Sequence, residues 1–397
     1  MPMIRTPPSG PAIVGAANGD LLVWSSATNE WLASSETPYL NVTEFDYIIS
    51  SRADLVAVAP PVGGDISLPS GSYFFKQAVL LNDGERVLVD AAKVLMMARP
   101  AAGLVGNYAD DQPWFRIENG GEVLAYDVTF YAAAASRHGV LVDASSSFTA
   151  QDCEIRSSDT GAQAAIACSG SVLLQRCVIP AGIQPIAVSG GARLVMNDCR
   201  VTCTVQGFPM IDVDATAETV VQLTRCVLLQ TYSAQGAIVR LEAGVDVPLW
   251  FTSNDNEYRW NVSDVRSVIL AGASAGLSAI FSDDRFYGAT GLGTIAINVA
   301  GLIGELRTNG CRFEGHNVAV VSDASAATHA EFNRNTVLTN TGLIWPAADL
   351  PANGLFEFEN HFGAGTPFGG HASTDSGVVR RANIQSGTLL TETALTP

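Results

Sequence analysis

One short frame recurs along the chain at near-even intervals, and this rhythm limits the possible folds more than any other feature. Asp152-Cys153-Glu154-Ile155, Arg176-Cys177-Val178-Ile179, Asp198-Cys199-Arg200-Val201, Arg225-Cys226-Val227-Leu228 and Gly310-Cys311-Arg312-Phe313 share a polar-Cys-x-apolar pattern, with Gly310 in the polar place of the last. The frame continues with Val128, Asn256, Asp284, Asn335 and Asn360 in the Cys slot, and the steps from 128 to 360 are 25, 24, 22, 27, 30, 28, 27, 24 and 25. Upstream of each frame lies a second short apolar strand, as in Val140-Leu141-Val142, Ile186-Ala187-Val188 and Val268-Ile269-Leu270. Gly170, Gly190-Gly191, Gly244 and Gly272 fall between the two strands, where a corner needs positive φ or a missing Cβ. Each coil therefore reads as strand, tight turn, strand, variable loop. Leucine-rich, ankyrin, tetratricopeptide and propeller units need helices or four strands per repeat. The rhythm predicts an all-β chain: a right-handed parallel β-helix of about ten coils.

Stacking explains how so short a coil becomes stable. One coil cannot bury its inward face, but each covers the next at about 4.8 Å, so equivalent side chains form columns. Cys153, Cys177, Cys199, Cys226, Asn256, Cys311, Asn335 and Asn360 are expected to form such a structural ladder. Thiols pack within it and amides hydrogen-bond along it. Asp284 in the same slot requires polar neighbours, because an unpaired buried carboxylate is costly.

The cysteines invite other readings, which their spacing excludes. The 7 cysteines contain no C-x-x-C pair and the chain has 5 His, so neither a zinc site nor a disulfide framework is expected; no metal and no cofactor are assigned. A net charge of −17 without a basic stripe argues against nucleic acid. Apolar runs such as Val318-Ala319-Val320-Val321 fall far short of the ~20 residues a membrane helix needs, so a soluble chain without membrane insertion, made in a cytoplasm, is expected.

The ends depart from the rhythm. Residues 1–50 form a separate module, with Gly19-Asp20-Leu21-Leu22-Val23-Trp24 and Glu30-Trp31-Leu32 as a hairpin about Thr28-Asn29. Residues 51–100 open the β-helix: Ser51-Arg52-Ala53-Asp54 starts a short capping helix that Pro60-Pro61 stops, and Gly63 to Tyr73 supplies the first coil strand. The β-helix itself spans 101–340. Prolines and glycines then break the pattern, leaving 341–397 as a C-terminal cap or extended arm.

The helix-then-strand segment SRADLVAVAP followed by GGDISLPSGSYFF, with its irregular coils, resembles the pectate-lyase-like β-helix superfamily, which includes bacteriophage tailspikes. The segment NGDLLVWSSATNEWLASS is similar to short Trp-containing modules of phage fibre and spike proteins. The resemblance implies a virion spike, tail fibre or capsid-decoration protein, an adhesin working in receptor binding at the virion surface. It further implies a homotrimer, docked to other virion proteins through residues 1–50 and its Trp24 and Trp31, that meets host-surface polysaccharide.

Enzymes of this architecture use two or three outward carboxylates. Asp255 and Asp283 lie one coil apart, which places them at roughly the separation of a retaining glycosidase, and Asp212 and Asp214 share an upstream strand. The slot of Asp255 also holds Asp152, Arg176 and Asp198 in other coils, which marks it as an ordinary corner position. Aromatic residues gather in the longest coils, and Trp250, Trp260 and Tyr287 are candidates for stacking sugar rings. The expectation is a virion protein that binds host glycan through coils 256–340 without cleaving it. Two alternatives stand beside it: a polysaccharide depolymerase, either glycoside hydrolase or lyase, and a decoration protein with no ligand.

Overall fold

The computed structural model describes residues 21–25, 30–34, 45–76, 79–82, 84–97, 103–106, 115–132, 139–156, 164–181, 184–203, 209–231, 237–260, 266–288, 294–322, 327–339, 341–344, 353–363, 365–369 and 377–390. The chain is a right-handed parallel β-helix. Every coil lays strands on three faces: Val140–Val142 belongs to sheet 1, Ser147–Gln151 to sheet 2 and Glu154–Arg156 to sheet 3. The next coil repeats them in parallel register, with Val140 beside Ile166, Phe148 beside Val172 and Glu154 beside Val178. Among the described residues sheet 3 has 14 strands, and sheets 1 and 2 are joined by one long strand into a surface of 26. The two-strand coil expected from sequence is thus one strand short: sheet 2 lies between the upstream strand and the frame.

The recurring frame is the corner between sheets 2 and 3. The residue before each slot is in the left-handed region, at Asp127, Asp152, Arg176, Asp198, Arg225, Asp255, Asp283, Gly310, Arg334, Glu359 and Ala382, with φ between 51° and 68°. A single left-handed residue turns the chain sharply, at a cost of about 1 kcal/mol for a side chain other than glycine, which stacking on both sides offsets. The slot that follows points inward, and Val128, Cys153, Cys177, Cys199, Cys226, Asn256, Asp284, Cys311, Asn335, Asn360 and Asn383 are all buried there.

Cys and Asn interchange in this slot because both donate to the same backbone carbonyl of the preceding coil. The Cys153, Cys177 and Cys226 thiols donate to the carbonyls of Ala125, Ala150 and Met196 at 3.5, 3.3 and 3.6 Å. Each of these acceptors lies three residues before the slot of the preceding coil. Asn256, Asn335, Asn360 and Asn383 donate Nδ2–H to the matching carbonyls of Leu223, Thr308, Phe332 and Glu357 at 2.9 to 3.4 Å. In the other direction, Asn256, Asn335, Asn360 and Asn383 Oδ1 accept the backbone N–H of Cys226, Cys311, Asn335 and Asn360 at 2.7 to 3.0 Å. Asn therefore satisfies one buried donor and one buried acceptor per coil, and Cys one buried acceptor. Burial pushes the Cys168 thiol up to about 12 and the Cys311 thiol well above its usual range, so neither offers a thiolate for metal or nucleophilic chemistry.

The stack reaches beyond the expected boundaries. It begins at Tyr47–Ile49, paired with Ser72–Phe75, and the helix Arg52–Val58 covers that end with Leu55 buried. Ser51 Oγ accepts the Asp54 N–H at 3.2 Å, while Asp54 Oδ2 accepts the Ser50 N–H at 2.9 Å, a reciprocal cap. At the other end, Leu355–Phe358 and Val378–Arg381 continue sheet 2. Thr388–Leu389 folds back antiparallel on Ile384–Gln385 and closes the edge of sheet 3. Inside these last coils Arg380 pairs with Glu357 at 2.5 Å and lies over the Phe368 ring at 3.8 Å. The N-terminal hairpin pairs Leu21–Ser25 with Glu30–Ser34 and sets Trp24 opposite Trp31. The Thr28-Asn29 turn and the flanks of the hairpin lie outside the described residues. Gly272, expected at a corner, sits inside the continuous strand Arg266–Ser282, whose register shifts between Ser274 and Ser278 instead.

Candidate functional site

Alternation along sheet 2 sends every second side chain outward, and parallel pairing aligns these into three files. From Ser147 to Ser282 six successive strands supply eighteen outward positions: Ser147, Thr149, Gln151; Ser171, Leu173, Gln175; Arg193, Val195, Asn197; Val220, Gln222, Thr224; Trp250, Thr252, Asn254; and Ser278, Ile280, Ser282. Twelve of them are hydroxyl or amide residues and none is Asp or Glu, in a chain with 39 acids. Trp250 is 48% exposed, a large flat ring on a flat sheet. The face ends where acids return. Glu122 pairs with Lys93 at one end, and at the other Glu305 accepts from Ser278 at 2.9 Å and pairs with Arg307 at 2.5 Å. Arg307 also approaches Glu331 at 3.8 Å.

The rim beside this face is the left-handed corner. Arg176 there donates to both oxygens of Asp152, and Arg225 to both of Asp198, over 2.6 to 2.8 Å. These bonds hold the Asp152 and Asp198 carboxyls below their ordinary range. Asp255 and Asp283 follow in the same file, one coil apart and exposed. Asp255 faces Arg285 at 3.8 Å. Asp283 leans over Gly310, where a Cβ would meet its Oδ1 at 2.3 Å. Both stand on the corner where, among the described residues, solvent reaches the carboxylates.

Sheet 1 carries a different surface. Asp212 accepts both Arg240 nitrogens at 2.6 and 2.9 Å and Gln184 Nε2 at 3.2 Å. Asp214 lies in register with Glu242, which approaches Arg240 at 3.6 Å. This cluster of acids is tied together by one arginine.

The expected aromatic platform does not assemble. Trp260 is 2% exposed because it follows the inward Tyr258 by two residues on Glu257–Trp260, so it offers no face to a sugar. Tyr287 stands on sheet 3 under Arg259, whose guanidinium lies 5.7 Å from the ring, and Trp250 stands on sheet 2 across the Asp255 corner. Tyr258, Phe286 and Phe313 instead stack through the core at 4.8 and 4.9 Å. Nor do residues 256–340 mark the face: Trp250 is its aromatic centre, and most of its strands precede Asn256.

No protein-family model matches the chain. No curated protein matches it either. Among solved structures, it is similar to the catalytic domain of a substituted GH87 α-1,3-glucanase in complex with tetrasaccharides, at TM-score 0.42 and 8% identity over 88% of this chain and 71% of that one. It is also similar to the catalytic unit of the GH87 α-1,3-glucanase of Streptomyces thermodiastaticus, at TM-score 0.35 and 10% identity over 90% and 71%. Pectin methylesterase PemA of Erwinia chrysanthemi aligns at TM-score 0.28 and 13% identity over 88% and 92%. Identities this low carry no residue roles across.

Proposed function

We propose that this β-helix is a glycan-binding protein that lays an extended saccharide along sheet 2, parallel to the helix axis, and does not cleave it. The acid-free face centred on Trp250 carries the reading. Its hydroxyls and amides match sugar hydroxyls as donors and acceptors, and a Trp ring packs against the C–H face of a pyranose. Coils repeat at about 4.8 Å, so like side chains meet a repeating ligand at regular intervals. Non-cleavage is supported by the surroundings of the exposed acids. The carboxyl raised most by burial, that of Asp284, is enclosed in the core and cannot reach a ligand.

A depolymerase is the second reading. It is favoured by two acid pairs that stand one coil apart, Asp255 with Asp283 and Asp214 with Glu242. Incubating the full chain with bacterial capsule or lipopolysaccharide separates the two. Retention of polymer without new reducing ends, lost in Trp250→Ala, is the expected result. Released oligosaccharide that disappears in Asp283→Asn or Glu242→Gln would replace binding with cleavage.

The proposal extends to a homotrimeric virion spike or fibre docked through the N-terminal module, supported by the hairpin that pairs Trp24 with Trp31. Since Tyr47–Ile49 already pairs within the β-helix and Ile49 is buried in its core, the test spares these residues: a deletion of residues 1–44 is expected to abolish particle attachment and keep the β-helix folded. Attachment by the truncated chain would remove the docking role.

A further inference from the structure

Neutral and acidic saccharides make different demands on a contact face. Neutral sugars present hydroxyl protons, for which a carboxylate is the strongest side-chain acceptor, so a face that binds them gains from Asp or Glu. An acidic chain is repelled by each carboxylate, by about 1 kcal/mol at 4 Å even in water. This chain has 39 Asp and Glu against 22 Lys and Arg, yet the outward positions of sheet 2 from Ser147 to Ser282 hold none of the acids. The charge that does stand there is Arg193, exposed at the start of Arg193–Asn197. It has no carboxylate within 4 Å among the described residues, whereas Arg176, Arg225 and Arg240 nearby each grip an aspartate through two nitrogens. Arg193 and Trp250 share one outward file with Val220 between them, two coil steps or roughly 10 Å apart.

Resting on the glycan-binding reading above, we infer that the sheet 2 face selects acidic saccharides, with Arg193 holding the anionic group while an adjoining sugar ring stacks on Trp250. The guanidinium fork bonds a carboxylate or sulfate through two parallel N–H groups, a geometry that a sugar hydroxyl cannot match. One cation and one indole fall far short of the basic stripe that a nucleic acid backbone needs.

Calorimetry on the full chain tests this with a glucuronic-acid oligosaccharide, the same oligosaccharide with its carboxylates reduced to alcohols, a sulfated oligosaccharide of equal length and oligothymidylate. The acidic oligosaccharide is expected to bind at least about tenfold tighter than its reduced counterpart, the low end for hydrogen bonds to a charged group. Arg193→Gln should erase that difference, and Trp250→Ala should weaken both ligands. Tighter binding of the sulfated chain with the same dependence on Arg193 supports the inference and assigns the anion. Equal binding of acidic and reduced forms, or a preference that survives Arg193→Gln, overturns the inference and leaves the glycan reading standing. Binding of oligothymidylate in place of every saccharide, or of no probe, removes both.

Discussion

Asp284 occupies a slot that other coils fill with asparagine, and the difference of one atom gives it a measurable signature. Its Oδ1 accepts the Asn256 N–H at 2.7 Å, while Oδ2 has no partner among the described residues. Burial, its largest perturbation, pushes the carboxyl up to about 7 from 3.8. Protonated, it can place an O–H where its neighbours place Nδ2–H or S–H. The folded state therefore holds a proton between pH 4 and 7 that the unfolded state has released. Stability falls as pH rises through this window, by up to about 4 kcal/mol at 1.36 kcal/mol per unit. Asp284→Asn removes this titration and keeps the ladder, so the variant should equal the wild type near pH 4 and exceed it above pH 7. Urea unfolding across pH 4 to 8 reads the difference, and parallel curves would show that the carboxyl is not held protonated.

At the scale of the coil, the ladder slot predicts an order of damage. Asn335→Ala strands the Cys311 N–H and the Thr308 carbonyl and frees the Asn360 contact, whereas Cys199→Ala loses a weaker sulfur bond and a small buried volume. We expect a loss of about 2–4 kcal/mol for the first and about 1–2 for the second, from the cost of unpaired buried groups and small cavities. Equal losses in thermal melts would mean that packing alone governs the slot. This column was legible in the sequence because cysteine is rare enough to mark a period and the residue before it is so often Asp or Arg. Asn383 was missed because Ala382 stands before it, in a tail rich in glycine. Sheet 2 was missed for a different reason. Segments such as Ser171–Gln175 alternate apolar and polar residues over only 5 positions and end directly against the frame, so they merge with the corner. Trp260 was misplaced although the parity is present in the sequence: once Tyr258 points inward, so must Trp260.

For the molecule as a whole, the acid-free face is invisible in composition, because its eighteen residues are spread over six strands and meet only through the register. Once assembled it is an acid-free strip carrying the single cation Arg193 on a body of net charge −17, and this contrast governs how an acidic ligand arrives. Far from the surface the ligand meets the repulsion of the whole chain; at contact it meets Arg193 and a row of amides. The first effect is screened over a Debye length of about 8 Å at physiological salt and 30 Å at 0.01 M, while the close contact is screened much less. Raising salt from 0.01 to 0.15 M should therefore speed association of an acidic oligosaccharide and leave its dissociation rate almost unchanged. A basic binding protein shows the reverse, with association slowed by salt. Gln222→Glu places one carboxylate of nearly the same shape in the middle file, beside both Val195 and Thr252. It should slow association and hasten dissociation of the acidic ligand, and hold the carboxyl-reduced form at least as tightly as the wild type does. Stopped-flow measurements on the two ligands at both salt concentrations test this, and an association rate that falls with salt would place the binding surface elsewhere on the molecule.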